Sequence, residues 1–183
     1  MYSSAVPKEN PNHPELVFAK ENNITATKRD GFINKLLEDT GQKMIAIAGT
    51  HGKTTTTAMM IWMFKQLDIP ISYSVGAKLS FGEMGEFAKN AEYFVYEADE
   101  YDRNFLSFNP EISVIPGIDY DHPDIYPTRT EYNQAFVQFI NQSNKIVIWQ
   151  SDAEKLDVTE NSTSSVLAND TDLSGIKLAG LVN

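Results

Sequence analysis

The segment Met44-Ile-Ala-Ile-Ala-Gly49-Thr-His-Gly52-Lys53-Thr54-Thr-Thr-Thr57 constrains this chain more than any other, because it runs from an apolar strand through a glycine turn into a helix. Gly49 and Gly52 let the backbone approach a polyphosphate, and the first N–H groups of the following helix have no intrahelical acceptors, so they point at an anion. Lys53 adds positive charge for the β- and γ-phosphates of a nucleoside triphosphate, and the Thr54 hydroxyl is placed to ligate Mg²⁺. Residues Gly49, Thr50, His51, Gly52, Lys53, Thr54 and Thr55 are therefore expected around the phosphates, with His51 contacting phosphate or ordering the turn. The loop is a short variant: the common G-x-x-x-x-G-K-[ST] spacing would put a glycine at Ile47, and the first glycine is instead Gly49. The run of threonines 54–57 supports a ligand site, since β-branched residues are tolerated in a helix best where their hydroxyls have a task.

From Lys43 onward the pattern alternates: strand 44–48, helix 53–67, strand 71–75, strand 93–97, strand 112–115, helix 129–142 and strand 145–149. Such alternation predicts an α/β fold, a largely parallel sheet flanked by helices. Within helix 53–67, Met59, Met60, Trp62, Met63, Phe64 and Leu67 are apolar on most faces, which predicts deep burial against the sheet. Thr128-Arg-Thr-Glu131 has capping-box spacing and opens the helix carrying Phe136, Val137, Phe139 and Ile140. Before Lys43 the chain reads as a strand from Met1 to Val6, a turn set by Pro7, Asn10, Pro11 and Pro14, and helices Glu15 to Glu21 and Asp30 to Asp39. That is too little to close a sheet of its own. After Trp149 the composition turns to Ser, Thr, Asn and Asp, predicting short strands with irregular connections. The pattern stops at Leu181-Val-Asn183 without a closing helix or strand, so a truncated domain is expected.

Charge sets the class of partner. With 15 Lys and Arg against 25 Asp and Glu, a net charge of −10 disfavours generic binding to nucleic acid or to an anionic membrane, while leaving room for a local basic pocket. Small-molecule partners are expected, with no nucleic acid and no membrane. At 183 residues and 42% hydrophobic content, the chain suits one domain with a piece of another attached. It has no cysteine, which excludes a disulfide framework, a thiolate nucleophile and Cys-ligated metal. With no leader pattern at Met-Tyr-Ser-Ser and no apolar run near about 18 residues, a cytoplasmic location is expected.

Two acidic clusters follow strand ends. Tyr93-Phe-Val-Tyr-Glu97 runs into Ala98-Asp99-Glu100-Tyr101-Asp102, placing Glu97, Asp99, Glu100 and Asp102 at the C-terminal end of a strand, where open α/β sheets bind ligands. A solvated acidic loop is the plainer alternative. Strand Ile112-Ser-Val-Ile115 is followed by Asp119-Tyr-Asp121-His122-Pro-Asp124, again past a strand end. An imidazole among carboxylates, opposite another carboxylate cluster and a phosphate loop, reads as a ligand for Mg²⁺ or Mn²⁺ rather than zinc. His13, in a polar turn, reads as a surface residue.

Together Gly49-Thr-His-Gly-Lys-Thr-Thr-Thr-Thr57, Glu97-Ala-Asp-Glu-Tyr-Asp102 and Ile118-Asp-Tyr-Asp-His122 resemble three signatures of the central domain of the Mur ligases, most of all their alanine-adding type, whose loop carries His where most sister ligases carry Asn. The resemblance implies a P-loop ATP-binding central domain in which Lys53 and Thr54 serve the ATP phosphates and a first Mg²⁺. It makes Glu97 and His122, 25 positions apart (122 − 97), ligands of a second Mg²⁺. Lys53, Glu97 and His122 become the expected catalytic residues, and Thr54, Glu97 and His122 the expected metal ligands. Tyr2-Ser-Ser-Ala-Val6 and Asn10-Pro-Asn-His-Pro-Glu15 resemble the last strand and helix of the family's uridine-nucleotide-binding domain, which makes residues 1–40 its remnant and 41–183 the central domain.

The implied activity is that of an ATP- and Mg²⁺-dependent ligase that adds L-alanine to UDP-N-acetylmuramate through an acyl phosphate, in peptidoglycan precursor synthesis. Two departures stand out. Pro116-Gly117 replaces the usual Thr-Asn, leaving open a polar contact near nucleotide or substrate, and the family's C-terminal domain has no counterpart in the sequence. No lysine occurs between Lys89 and Lys145, so the carbamylated lysine of sister ligases has no counterpart either, which favours the alanine-adding type or the murein-peptide ligase. The alternatives are that murein-peptide ligase, and a nucleotide-binding fragment or P-loop ATPase without ligase turnover. A GTPase would announce guanine with Asn-Lys-x-Asp, which is missing.

Overall fold

The computed structural model describes residues 1–2, 5–158 and 164–167. Its centre is a sheet of order β3-β2-β4-β1-β5-β6-β7, formed by β1 (Lys43–Ile47), β2 (Ile71–Ser74), β3 (Gly85–Glu86), β4 (Tyr93–Glu97), β5 (Ile112–Ile115), β6 (Lys145–Trp149) and β7 (Ser164–Leu167). Every pairing is parallel except that of β3 with β2 at one edge. The strands expected between Lys43 and Trp149 thus form as read, within a residue at their ends, and β1 lies in the middle with β4 and β5 on its two sides.

A central parallel strand must be apolar on both faces because helices cover both. Along β1 the side chains alternate accordingly. Met44 and Ala46 enter a core with Phe94, Phe105, Phe136, Phe139 and Ile148. Ile45 and Ile47 enter a second core with Ile61, Ile71, Tyr73 and Val95. The first core is covered by α3 (Arg29–Thr40), through Ile33, Leu36 and Leu37, and by α5 (Arg129–Asn141). Thr128 caps α5 by accepting the Glu131 N–H at 3.2 Å, as its capping-box spacing predicts. The second core lies under α4 (Lys53–Gln66), which packs on β1, β2 and β4.

Helix α4 corrects the expectation of deep burial. Only Thr57 and Ile61 are fully buried in it, with Met60 and Phe64 partly covered. Met59 is 66% exposed and Trp62, Met63 and Leu67 are exposed as well. A straight helix on a sheet buries one stripe, here Thr57, Ile61 and Phe64 at steps of four and three, so apolar residues off that stripe face outward whatever their chemistry.

The start of the chain also departs from expectation. Of the strand expected from Met1 to Val6, Tyr2 forms an isolated bridge to Lys28, α1 spans Ala5–Glu9, and residues 3 and 4 lie outside the described ones. Pro7 falls in the first turn of that helix, where its missing N–H costs nothing. Helix α2 (Pro14–Glu21) follows, with His13 half-buried at its N-terminus rather than on the surface. Past Trp149, where strands were expected, α6 (Gln150–Lys155) forms first. Asp152 makes it possible: its buried carboxylate accepts the Ile118 N–H at 3.3 Å and meets Lys155 Nζ at 2.6 Å, contacts that composition does not reveal. β7 is one of the expected short strands; the rest of that expectation falls on residues 159–163 and 168–183, outside the described ones.

The exposure pattern of α4 predicts contrasting substitutions in chemical denaturation. Ile61→Ala, at a site with no exposed surface, should cost about 2–5 kcal/mol, and Met63→Ala should stay within about 0.5 kcal/mol. Equal losses at both positions would contradict the packing described.

Candidate active site

The C-terminal ends of β1, β4 and β5 bring three loops to one edge of the sheet. The first is the phosphate loop between β1 and α4. Gly49 has φ 144° and Gly52 φ 76°, both in the region that glycine adopts without strain. A Cβ on Gly49 would stand 2.7 Å from the Gly117 carbonyl oxygen, so the close approach of the two loops requires glycine there. Thr50, His51, Gly52, Lys53, Thr54 and Thr55 line one open hollow of about 300 Å³, into which the first turn of α4 opens. The expected phosphate-binding residues are therefore gathered around a single space, with Gly49 behind them.

Lys53 leans out of this helix turn toward Glu100. Its Nζ donates to the Gly49 carbonyl at 2.7 Å and to Glu100 Oε1 at 3.0 Å, with Oε2 at 2.8 Å. The Glu100 side chain is 1% exposed and that of Lys53 17%. His122 Nε2 lies 3.4 Å from the same Glu100 Oε1. The carboxylate that unites Lys53 and His122 is thus Glu100, three residues past the Glu97 singled out from the sequence.

Glu97 forms a separate pair with Thr54. The Thr54 hydroxyl donates to Glu97 Oε1 at 2.8 Å, and the Gly76 N–H donates to Oε2 at 2.8 Å. A Cβ on Gly76 would come within 2.9 Å of Glu97 Oε1, so glycine is required here for the carboxylate to reach its partners. A hydroxyl and a carboxylate oxygen at this separation, at the mouth of a phosphate loop, form the hard oxygen pair that suits Mg²⁺. Glu97 ends β4 and His122 lies in the loop after β5, on the two sides of β1, and among the described residues no group of three or more His, Asp or Glu is arranged to hold a metal ion. His51 is exposed, its Nε2 3.8 Å from Asp119 Oδ2.

Pro116 and Gly117, the departure from the usual Thr-Asn, back the phosphate loop through main-chain and packing contacts. Gly117 O accepts the Thr50 N–H at 2.9 Å, Pro116 O accepts Trp149 Nε1–H at 3.1 Å, and the Pro116 ring faces Gly52. Two buried tyrosines complete the surroundings. Tyr126 O–H donates to the Glu100 carbonyl at 2.6 Å, and Tyr132 O–H lies 2.6 Å from Thr50 Oγ1. Burial holds both phenols well above the usual tyrosine range, so both are protonated at neutral pH.

Sequence reasoning did not single out Glu100, Gly76, Tyr126 or Tyr132. Glu100 stood in the acidic run, but which of its carboxylates is buried depends on the turn after β4. There Asp102 and Arg103 take left-handed φ values of 56° and 58°. His122 has φ 56°. Such backbone in non-glycine residues costs of order 1–3 kcal/mol each and concentrates at functional sites.

Residues 47–172 match the Mur ligase middle domain family. The chain is 36% identical over 172 residues to the UDP-N-acetylmuramate–L-alanine ligase of Clostridium acetobutylicum, covering 92% of this chain and 36% of that relative. The ligase of the same name from Lactiplantibacillus plantarum is 36% identical over 144 residues, 79% of this chain and 31% of the relative. The chain spans about a third of the length of these curated relatives. Among solved structures, the UDP-N-acetylmuramate–alanine ligase of Thermotoga maritima superposes with a TM-score of 0.70 at 29% identity, over 85% of this chain and 35% of that one. A UDP-N-acetylmuramate:L-alanyl-γ-D-glutamyl-meso-diaminopimelate ligase from Neisseria meningitides shares the fold, with a TM-score of 0.62 at 20% identity over 84% of this chain and 53% of that one. With the phosphate loop, the acidic loop and the histidine loop meeting at one sheet edge in a sequence so related, this chain belongs to the Mur ligase family.

Proposed function

We propose that this chain is the nucleotide-binding part of an ATP-dependent ligase that joins L-alanine to UDP-N-acetylmuramate, working in the cytoplasm. The observation that carries this reading is the hollow lined by Thr50 to Thr55, with Lys53 on one side and the Thr54–Glu97 oxygen pair on the other, in a chain 36% identical to a ligase of that name. Residues 1–40 are proposed as the end of a uridine-nucleotide-binding domain and 41–183 as the ATP-binding domain.

In this reading the α4 N-terminus and Lys53 hold the ATP phosphates, and the muramate carboxylate attacks the γ-phosphorus, expelling ADP and leaving an acyl phosphate. The alanine amine then adds to the acyl carbon, and phosphate leaves as the amide forms. Lys53 moves from Glu100 to the β- and γ-phosphates as they enter, offsetting the repulsion between two anions. A Mg²⁺ held by Thr54 and Glu97 would supply further charge neutralisation on the transferring phosphoryl group. Glu100 keeps Lys53 and His122 oriented. His122 is the proposed contributor to a second cation site, for which it would have to turn from Glu100 toward Glu97.

Three measurements bear on this. In calorimetric titration with Mg-ATP, Lys53→Ala should weaken binding by at least about tenfold, since a charge-assisted contact to phosphate contributes roughly 1.5–3 kcal/mol. The same change strands a buried carboxylate and lowers stability, whereas the double variant Lys53→Ala/Glu100→Gln should regain stability without regaining affinity. Affinity restored in the double variant would sink the assignment of Lys53. For the metal, Thr54→Ala and Glu97→Gln should each reduce the gain in ATP affinity that Mg²⁺ brings; an unchanged gain in both would remove the cation from this pair. The activity itself is tested by ADP release from a protein carrying this segment in its full reading frame. Turnover that requires both UDP-N-acetylmuramate and L-alanine is expected, and turnover with a peptide in place of alanine would assign the murein-peptide alternative.

A further inference from the structure

Thr50 stands in the middle of the phosphate loop, yet its N–H and its hydroxyl are both spent on neighbouring protein groups. The N–H donates to the Gly117 carbonyl at 2.9 Å. The hydroxyl oxygen lies 2.6 Å from the Asp119 carbonyl oxygen, 2.9 Å from the Asp119 N–H nitrogen and 2.6 Å from the Tyr132 phenol. A threonine hydroxyl has one proton to give and two lone pairs to fill. Its proton goes to the carbonyl oxygen and one lone pair takes the Asp119 N–H, so the second lone pair takes the proton of Tyr132. Thr50 is saturated by this arrangement, and Tyr132 is the donor.

Tyr132 is itself held rigidly. It has no exposed surface, and its ring meets Tyr126 edge-on at 5.0 Å and Tyr120 edge-on at 6.0 Å. Tyr126 O–H donates to the Glu100 carbonyl, and Tyr120 O–H donates to the Tyr126 carbonyl at 2.7 Å. One aromatic cluster therefore reaches the phosphate loop, the acidic loop and the loop leading to His122. A loop bearing Gly49 and Gly52 has backbone freedom that must be removed before it can bind tightly, and a buried hydrogen bond in a low-dielectric surrounding is suited to remove it.

We propose that Tyr132 is a positioning residue for the nucleotide: through Thr50 its phenol clamps the phosphate loop to the Asp119–His122 loop, setting both halves of the site in register before phosphate arrives. The nucleotide part of this inference rests on the proposed function; the clamp does not.

Tyr132→Phe removes the one oxygen and keeps the ring, and Thr50→Val removes the hydroxyl at nearly constant volume. The test combines hydrogen exchange of the nucleotide-free 183-residue chain with Mg-ATP titration of the wild type, both single variants, the double variant and Thr50→Ser. Tyr132→Phe should raise amide exchange several-fold in the peptides covering 48–54 and 117–123 while the interior of α5 keeps its protection. Mg-ATP affinity should fall about five- to tenfold, the scale of one buried hydrogen bond. The double variant should be no weaker than the weaker single one, and Thr50→Ser, which keeps the hydroxyl, should recover the loop protection that Thr50→Val loses. Unchanged loop exchange in Tyr132→Phe, or additive losses in the double variant, would overturn the clamp. A wild-type chain that binds no Mg-ATP would overturn the nucleotide reading instead, and the exchange comparison would still decide whether the clamp exists.

Discussion

The Glu100 carboxylate is buried at the edge of the sheet where the three loops meet, and a buried anion persists only where cations and donors compensate its lost hydration. Lys53 supplies the charge at 2.8–3.0 Å, and His122 Nε2 stands 3.4 Å from the same carboxylate. Because Lys53 also donates to Gly49 O, the same contact that neutralises Glu100 fixes the lysine over its own loop. Removing either partner of such a pair costs about 3–5 kcal/mol when both are fully buried, and less here because the lysine is partly hydrated. The interaction is thus a means of orienting a cation rather than a large source of stability. It keeps Lys53 close to where phosphate would lie, yet able to exchange one anion for another.

The sheet order explains why these groups can meet. β1 is flanked by β4 and β5, so the loop leaving β1 runs between the loop leaving β4 and the loop leaving β5. Gly49 approaches the Gly117 carbonyl closely enough to exclude a side chain at position 49. Thr50, Tyr132 and the Asp119 backbone then tie the phosphate loop to one neighbour, while Lys53, Thr54, Glu97 and Glu100 tie it to the other. The positive φ angles of Asp102, Arg103 and His122 are the local cost of turning the chain so sharply on both sides.

Much of this was legible in the residue pattern because strands and loops of this class have strong periodic and compositional signals. The glycine turn, the threonine run and the two acidic strand ends each marked a loop of the site, and β4, β5 and β6 begin and end where the alternation places them. What was not legible depends on tertiary direction. Nothing in Glu97-Ala-Asp-Glu100 says that the last carboxylate turns inward to Lys53 while the first meets Thr54. The apolar character of Met59, Trp62 and Met63 says nothing about which stripe of α4 touches the sheet, and all three side chains are exposed. Tyr132 reads as one more apolar-face residue of α5, and only its contact with Thr50 distinguishes it from Phe136 and Phe139.

The most direct test of the central claim is a crystal structure of the chain with Mg²⁺ and a non-hydrolysable ATP analogue. The phosphates should lie in the hollow lined by Thr50 to Thr55, with Lys53 Nζ moved from Glu100 to the β- and γ-phosphate oxygens and Thr54 and Glu97 beside the cation. Phosphates bound elsewhere, or Lys53 still paired with Glu100 while nucleotide is bound, would contradict it.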